Sequence, residues 1–307
     1  MAADPDSQPL LEARAISKRF GGVRALEGVS ASFHAGEVVA VMGENGAGKS
    51  TLMKCLAGVH QPNAGEVAVD GNIVSIPDVR AAEKLGIAFI HQELNLAENL
   101  NIGANVYLGR EPRKFGPFFD QHEIRLRTQD LLDALELDVT PDTPVRNLSI
   151  GHRQMVEIAK ALSQKARILI MDEPTSSLSL HETRILFRLV KKLREEGMCI
   201  VFISHRMAEV EEIADRVIVL KDGRNSGELG REEISRDRIV SLMVGRELVA
   251  HERTVAKTGD TMLEVRDLRV ARFPDVPISF ELRAGEVVGM AGLVGDRKST
   301  RLNSSHQ

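Results

Sequence analysis

From residue 10 onward, short apolar runs alternate with segments whose apolar positions recur at helical spacing. Residues 37–42 are one such run and lead straight into a glycine-rich loop, after which residues 51–56 open a helix. Residues 86–90, 166–171, 198–203 and 216–220 are further short runs rich in β-branched side chains, each read as a strand, and the Asp222-Gly223 pair ends the last of them. Residues 181–196 read as a helix between two of these strands. Unbroken apolar runs belong to strands covered on both faces, and strands alternating with helices specify a mostly parallel, buried sheet. The stretch from about 95 to 164 interrupts this pattern. There Asp120 and Glu123 form a capping-box-like start, and Ile124, Leu131 and Leu135 fall on one helical face, which predicts a helical subdomain. Residues 1–9 read as a disordered lead-in and residues 247–261 as a polar linker.

A repeat divides the chain further. Residues 35–51 and 284–300 share ten of 17 positions at a constant offset of 249, and Leu11-Glu12 is echoed by Leu263-Glu264. Residues 10–246 thus read as one complete domain and 262–307 as the start of a second copy, too short a stretch to close such a core. Composition adds exclusions. At 43% hydrophobic, 27% charged and a formal net charge of -4, the chain carries no basic footprint for nucleic acid. No run approaches the roughly 18 apolar residues that span a bilayer, and the polar, acidic start is no secretory signal. The expected location is therefore the cytoplasm, with any membrane role a peripheral one. Cys55 and Cys199 lie far apart without metal-ligand spacing and read as buried thiols.

The chemistry starts at Gly43-Glu44-Asn45-Gly46-Ala47-Gly48-Lys49-Ser50-Thr51, which fits G-x-x-x-x-G-K-[ST] between a strand and a helix. Glycines let successive backbone N–H groups turn toward a phosphate, and the helix beginning near Lys49 aims its N-terminal dipole at the same anion. Lys49 adds a cation for the β- and γ-phosphates of ATP, and Ser50 a hydroxyl for Mg²⁺. The apolar run 168–171 ends in Asp172 and Glu173, which puts two carboxylates at the carboxyl edge of the sheet. Asp172 would hold Mg²⁺, directly or through water, and Glu173 would polarise the attacking water. His205 follows the strand at 198–203 and suits a contact to the γ-phosphate or the attacking water. Gln92, after the strand at 86–90, could reach Mg²⁺ or water.

With Leu148-Ser149-Ile150-Gly151-His152 added between Gln92 and Asp172, the set resembles the ATPase subunits of ABC transporters over residues 10–246. The resemblance implies an α/β fold of the P-loop NTPase class: a mostly parallel sheet, an antiparallel β-subdomain and a helical subdomain. Residues 148–152 resemble that family's LSGGQ signature. It further implies that Phe20 stacks on adenine, a plain core aromatic being the other reading. Gln92 would lie in the loop facing the membrane partner, and residues 177–179 in the loop crossing the dimer. Ser149 and Gly151 would cap the γ-phosphate held by a second ATPase domain or a second copy of the chain.

Tandem domains with GENGAGKST, HQEL, MVEIAKAL and DEPTSSL are similar to bacterial importers of ribose, galactose and xylose. Such subunits dock on membrane permease subunits, fed indirectly by a periplasmic sugar-binding protein, at the cytoplasmic face of the inner membrane. A soluble ABC-type ATPase acting on ribosomes or DNA is the alternative, and a small-molecule phosphotransferase a third reading that explains neither signature nor repeat.

Departures from the pattern are few. His152 stands where the family has glutamine, and Ser179 where many relatives have an acid. The second loop, 292–299, places Arg297 at the position of Gly48 and adds Asp296, which together should weaken or abolish nucleotide binding there. Residues 301–307 have one aliphatic side chain and no helical face, and the chain from about Asp296 onward reads as a truncated or misread frame, or else a short degenerate tail. The chain alone is expected to bind ATP and hydrolyse it poorly unless two copies pair.

Overall fold

The computed structural model describes residues 8–114, 118–164, 166–244, 259–270 and 273–289. By internal contacts the chain divides into two units, Met1–Glu247 and Leu248–Gln307.

The first unit opens with β1 (Leu11–Phe20), β2 (Val23–Phe33), β3 (Val38–Met42) and α1 (Lys49–Leu56). Next come β4 (Ala64–Val69), β5 (Asn72–Val74), α2 (Val79–Lys84) and β6 (Ile87–Ile90). The helical stretch holds α3 (Ile102–Val106), a small hairpin of β7 (Arg113–Lys114) and β8 (Phe118–Phe119), α4 (Gln121–Ala134) and α5 (Ile150–Leu162). Alternation then resumes with β9 (Ile168–Asp172), α6 (Leu180–Glu195), β10 (Cys199–Ile203), α7 (Met207–Ile213), β11 (Arg216–Lys221), β12 (Arg224–Gly230) and α8 (Arg236–Val244).

The central sheet runs β12-β11-β3-β10-β9-β6. Five of its strands are parallel, and β12 pairs antiparallel at the edge. The edge hairpin follows from Asp222 and Gly223, whose φ values of 48° and 75° supply the left-handed pair that a tight hairpin turn needs. Every residue of β3, β9 and β10 is buried, which is why those segments carry apolar runs without alternation. Successive side chains still part to opposite faces. Val39 and Val41 join a core with α1 and the antiparallel sheet, whereas Ala40 and Met42 join one with α7 and α8.

That antiparallel sheet has the order β2-β1-β4-β5 and lays Leu11, Ile16, Val29 and Phe33 against Leu52, Met53 and Leu56 of α1. On the other side, α3, α4 and α5 pack with α6 into a further core. Two details of α4 differ from expectation. Its buried stripe is Ile124, Thr128, Leu132 and Leu135, while Leu131 is only partly buried. A threonine interrupts that stripe, so apolar counting alone shifts the face by one residue. Asp120 accepts from the Glu123 N–H at 3.1 Å, but the Glu123 carboxylate takes Arg127 Nε at 2.6 Å instead of turning back, leaving half a capping box.

The second unit, among its described residues, is an antiparallel hairpin of β13 (Thr261–Val270) and β14 (Phe273–Arg283). It copies an irregularity of the β1–β2 hairpin. Ala15 and Asp267, 252 positions apart, both take positive φ, at 51° and 50°. Their N–H groups donate to matching serine hydroxyls, Ser30 at 2.9 Å and Ser279 at 3.0 Å. The second glycine loop at 292–299 lies outside the described residues, as do the tail, most of the linker and most of the lead-in.

Candidate nucleotide site

The parallel strands β3, β10, β9 and β6 all end at one edge, and the singled-out residues sit on the loops that leave it. Between β3 and α1 the loop 43–48 turns sharply. Gly48, with φ of 100°, holds its Cα so close to Ala25 that a Cβ would lie 2.6 Å from the Ala25 carbonyl oxygen. Gly48 is also the N-cap of α1, and no side chain caps that helix. Helices α2, α4, α5 and α6 are all capped by an Asp or Ser side chain. The first-turn N–H groups of α1 therefore face the cavity without a competing protein oxygen from a cap, with the positive end of the helix behind them.

Lys49 is buried, and its Nζ donates to the carbonyls of Gly43 at 2.8 Å and Glu44 at 3.0 Å. Burial lowers its pKa, and the nearby carboxylates of Glu173 and Asp172 oppose that shift. The ammonium thus has backbone partners that a phosphate can replace. Asn45, Gly46, Gly48, Lys49, Ser50 and Thr51 line a cavity of about 490 Å³ together with Ala25, Gln92, Glu173 and His205. Ala47 is buried beneath the loop and donates its N–H to Glu44.

Ser50 donates its hydroxyl to Asp172 Oδ1 at 3.1 Å. Asp172 is 2% exposed, and burial pushes its pKa up, with the Ser50 hydrogen bond pulling the other way. Glu173 follows with φ of 48°, a left-handed conformation that strains a glutamate. Its N–H donates to the Ile203 carbonyl at 3.1 Å, tying the ends of β9 and β10 together. Its carboxylate is flanked on both sides: Gln92 Nε2 donates at 3.2 Å, and His205 Nδ1 lies 3.3 Å from Oε1. Three residues chosen separately along the chain thus meet at one carboxylate.

The signature residues sit elsewhere. Ser149 is the N-cap of α5 and accepts from the His152 N–H at 3.1 Å. Leu148 is buried, Ile150 is 64% exposed, and none of residues 148–152 lines the cavity. Gly151 packs directly on the Glu182 carboxylate, and His152 Nε2 lies 3.9 Å from it. Glu182 in turn completes a capping box with Ser179 at the start of α6, so serine at 179 serves as the cap. Phe20 lies outside the cavity lining, 44% exposed, with its ring edge-on to His60 at 5.1 Å and Lys18 Nζ 5.1 Å from its centroid. Glu182 and Glu209 are the neighbours that sequence reasoning missed. Each is an acid within an ordinary helical pattern, and only the packing joins them to the motifs.

Comparison with known proteins places this geometry. The ABC transporter family profile matches residues 26–176. A putative ribose/galactose/methyl galactoside import ATP-binding protein of Burkholderia cenocepacia is 48% identical over 293 residues, covering 94% of this chain and 57% of that protein. A ribose import ATP-binding protein of Rubrobacter xylanophilus is 49% identical over 290 residues, with 94% and 57% covered. The chain therefore spans a little over half the length of these curated relatives. Among solved structures, a nucleotide-free ATP-binding cassette from an ABC transporter aligns with a TM-score of 0.66 at 26% identity, covering 76% of this chain and 98% of that one. A dimeric ATP-binding cassette in a post-hydrolysis state with ADP and Pi aligns at 0.64 and 28%, covering 72% and 98%. The fold, the order of the motifs and the identity to these relatives agree, and the chain belongs to the ABC transporter family as one of its ATP-binding cassettes.

Proposed function

We propose that this chain binds ATP in the phosphate-loop cavity and hydrolyses it, and that the hydrolysis powers import of a monosaccharide. The observation that carries the reading is the meeting of Lys49, Ser50–Asp172 and Gln92–Glu173–His205 at one sheet edge. Loop N–H groups and Lys49 hold the phosphates, and Phe20 stacks on the adenine from outside the cavity. Glu173 takes the proton of the attacking water, while His205 and Gln92 orient its carboxylate and contact the γ-phosphate or the water.

Mg²⁺ fits the residues present. Adjacent ligands of an octahedral ion at about 2.1 Å lie about 3 Å apart. The Ser50 and Asp172 oxygens, at 3.1 Å, match that spacing and are the hard donors such an ion takes. Gln92 is placed to reach the same region. When bound, the ion would draw charge from the β- and γ-phosphates.

The signature at 148–152 serves a second site. Ser149 and Gly151 meet the γ-phosphate of another cassette, either a second domain or a second copy, with residues 177–179 along the seam. The hairpin at 261–283 and the linker before it mark the start of such a second domain, which supports a tandem arrangement. The cassette pairs with membrane permease subunits served by a periplasmic sugar-binding protein. It acts at the cytoplasmic face of the inner membrane, and no helix among the described residues is long and apolar enough to cross one. The sugar-import relatives support this reading over a ribosome- or DNA-directed ATPase.

Two variants test the assignment. Lys49→Ala loses ATP binding in a fluorescent-nucleotide titration, whereas Glu173→Gln keeps binding and loses phosphate release. Full turnover in Glu173→Gln refutes the role given to that carboxylate. Specific activity rises with chain concentration as copies pair.

A further inference from the structure

Behind the Glu173–His205 pair lies a second carboxylate. Glu209 stands in the first turn of α7 and is 7% exposed. Its Oε2 accepts two hydroxyls, Thr175 Oγ1 at 2.8 Å and Ser204 Oγ at 2.7 Å. Its Oε1 accepts Arg206 Nη1 at 3.1 Å. Thr175 and Ser204 are each 2% exposed. Ser204 Oγ also accepts the Arg206 N–H at 3.0 Å, which closes a small ring of bonds.

The positions of the two hydroxyls give this network its meaning. Thr175 is two residues past Glu173, and Ser204 is one residue before His205. A single carboxylate oxygen therefore ties the loop that carries the proposed base to the loop that carries its histidine. Apart from the His205–Glu173 contact itself, these two segments are also joined backbone to backbone, by Glu173 N–H to the Ile203 carbonyl. A left-handed glutamate relaxes toward ordinary φ unless its surroundings prevent it, and a buried ion with three charge-assisted bonds is a stiff restraint.

We propose that Glu209 is a positioning residue for ATP hydrolysis, holding the Glu173 and His205 loops in register so that the two side chains meet. It touches neither nucleotide nor water and acts through those loops. The inference rests on the roles proposed above for Glu173 and His205. Misplacing a reacting group by about 1 Å can cost about 100-fold in rate, so the effect belongs in kcat.

The test uses the full chain with Mg²⁺-ATP, comparing wild type with Glu209→Ala and with the milder pair Thr175→Val and Ser204→Ala. Expected for Glu209→Ala is a fall in kcat of about 10- to 100-fold with nucleotide affinity within about twofold of wild type. The two hydroxyl variants, which keep the Glu209 carboxylate and its Arg206 partner, should each lose part of that rate and melt only a few degrees lower, since each removes one buried bond to Glu209. In a His205→Ala background the further loss from Glu209→Ala should shrink to less than about threefold, because residues acting as a unit are not additive.

A Glu209→Ala protein with wild-type kcat overturns the proposal. So does a loss that is undiminished in the His205→Ala background, or hydroxyl variants with unchanged turnover. A crippled Glu173→Gln beside any of these results refutes the positioning role alone, whereas full turnover in Glu173→Gln refutes the site assignment and this inference together.

Discussion

Replacing Gly48 with alanine should damage the phosphate loop in a way that replacing Gly46 does not. Both glycines have positive φ, 100° and 85°. A residue with a Cβ loses about 1–2 kcal/mol in the left-handed region, so each variant carries that strain. Space separates them. A Cβ on Gly46 meets nothing within 4 Å. A Cβ on Gly48 meets the Ala25 carbonyl oxygen at 2.6 Å and Leu26 Cδ2 at 2.7 Å. Leu26 is buried in the core beside α1, so neither atom has room to retreat.

Overpacking of this kind costs about 1–3 kcal/mol more, which puts Gly48→Ala at about 2–5 kcal/mol in all. The loop has two ways to bear it. If the loop keeps its shape, folding stability drops, at about 2–4 °C per kcal/mol for a domain of this size. If the loop relaxes away from its cradle, ATP affinity drops tenfold for each ~1.4 kcal/mol. The two losses must therefore sum to the strain, and both are measurable on one sample by thermal melting and nucleotide titration. Gly46→Ala should lose only about 1–2 kcal/mol in that sum. Equal totals for the two variants would sink the close-approach argument, and with it the expectation that Arg297 disables the second loop.

Other outcomes follow from the same coordinates. Gly151→Ala puts a Cβ 2.6 Å from the Glu182 carboxylate and evicts it from the Ser179 cap. Melting should fall by about 1 kcal/mol of cap energy while ATP binding by the isolated chain is unchanged. Asp172 has a pKa raised above its ordinary 3.8, chiefly by burial, so the native state binds that proton more tightly than the unfolded chain does. The stability contributed by its neutral form is complete below 3.8 and is lost as pH rises through the folded value. Asp172→Asn should accordingly raise the melting temperature at neutral pH without Mg²⁺, an advantage that disappears in acid, while weakening Mg²⁺-dependent nucleotide binding. Burial pushes the Cys55 thiol up to about 11 and Cys199 higher still. A thiol reagent at pH 8 should label neither in the folded protein and both after denaturation; rapid labelling of the native chain would contradict the buried placement.

Much of the site was legible without coordinates because its chemistry is local. The phosphate loop needs glycines, a lysine and a hydroxyl at fixed spacing between one strand and the next helix, so residues 43–51 announce it by themselves. The same holds for the apolar run that ends in Asp172-Glu173 and for the ten matched positions of the repeat. The strand periods, too, survive folding: β3 and β10 lie within the runs that predicted them and β9 passes the end of its run by one residue, Asp172, because burial on both faces leaves little else for those positions to be. The helix face was less secure, since a buried Thr128 breaks the apolar count on α4.

What the chain order could not decide is which residues face one another across the sheet edge. Glu173, Gln92 and His205 were candidates separated by dozens of residues, and only the order β3-β10-β9-β6 puts the last two on either side of the first. Ser179-x-x-Glu182 is a local capping signal, but the seating of Glu182 under Gly151 and of Glu209 behind Glu173 left no trace in the sequence. Gly151 lies 31 positions from Glu182, and Thr175 lies 34 from Glu209, whose other partners Ser204 and Arg206 are local; contacts at the longer separations are made by the path of the backbone, not by any local pattern. The phosphate-loop motif was therefore a property of nine consecutive residues, while the shape of the proposed catalytic centre around Glu173 was a property of the fold.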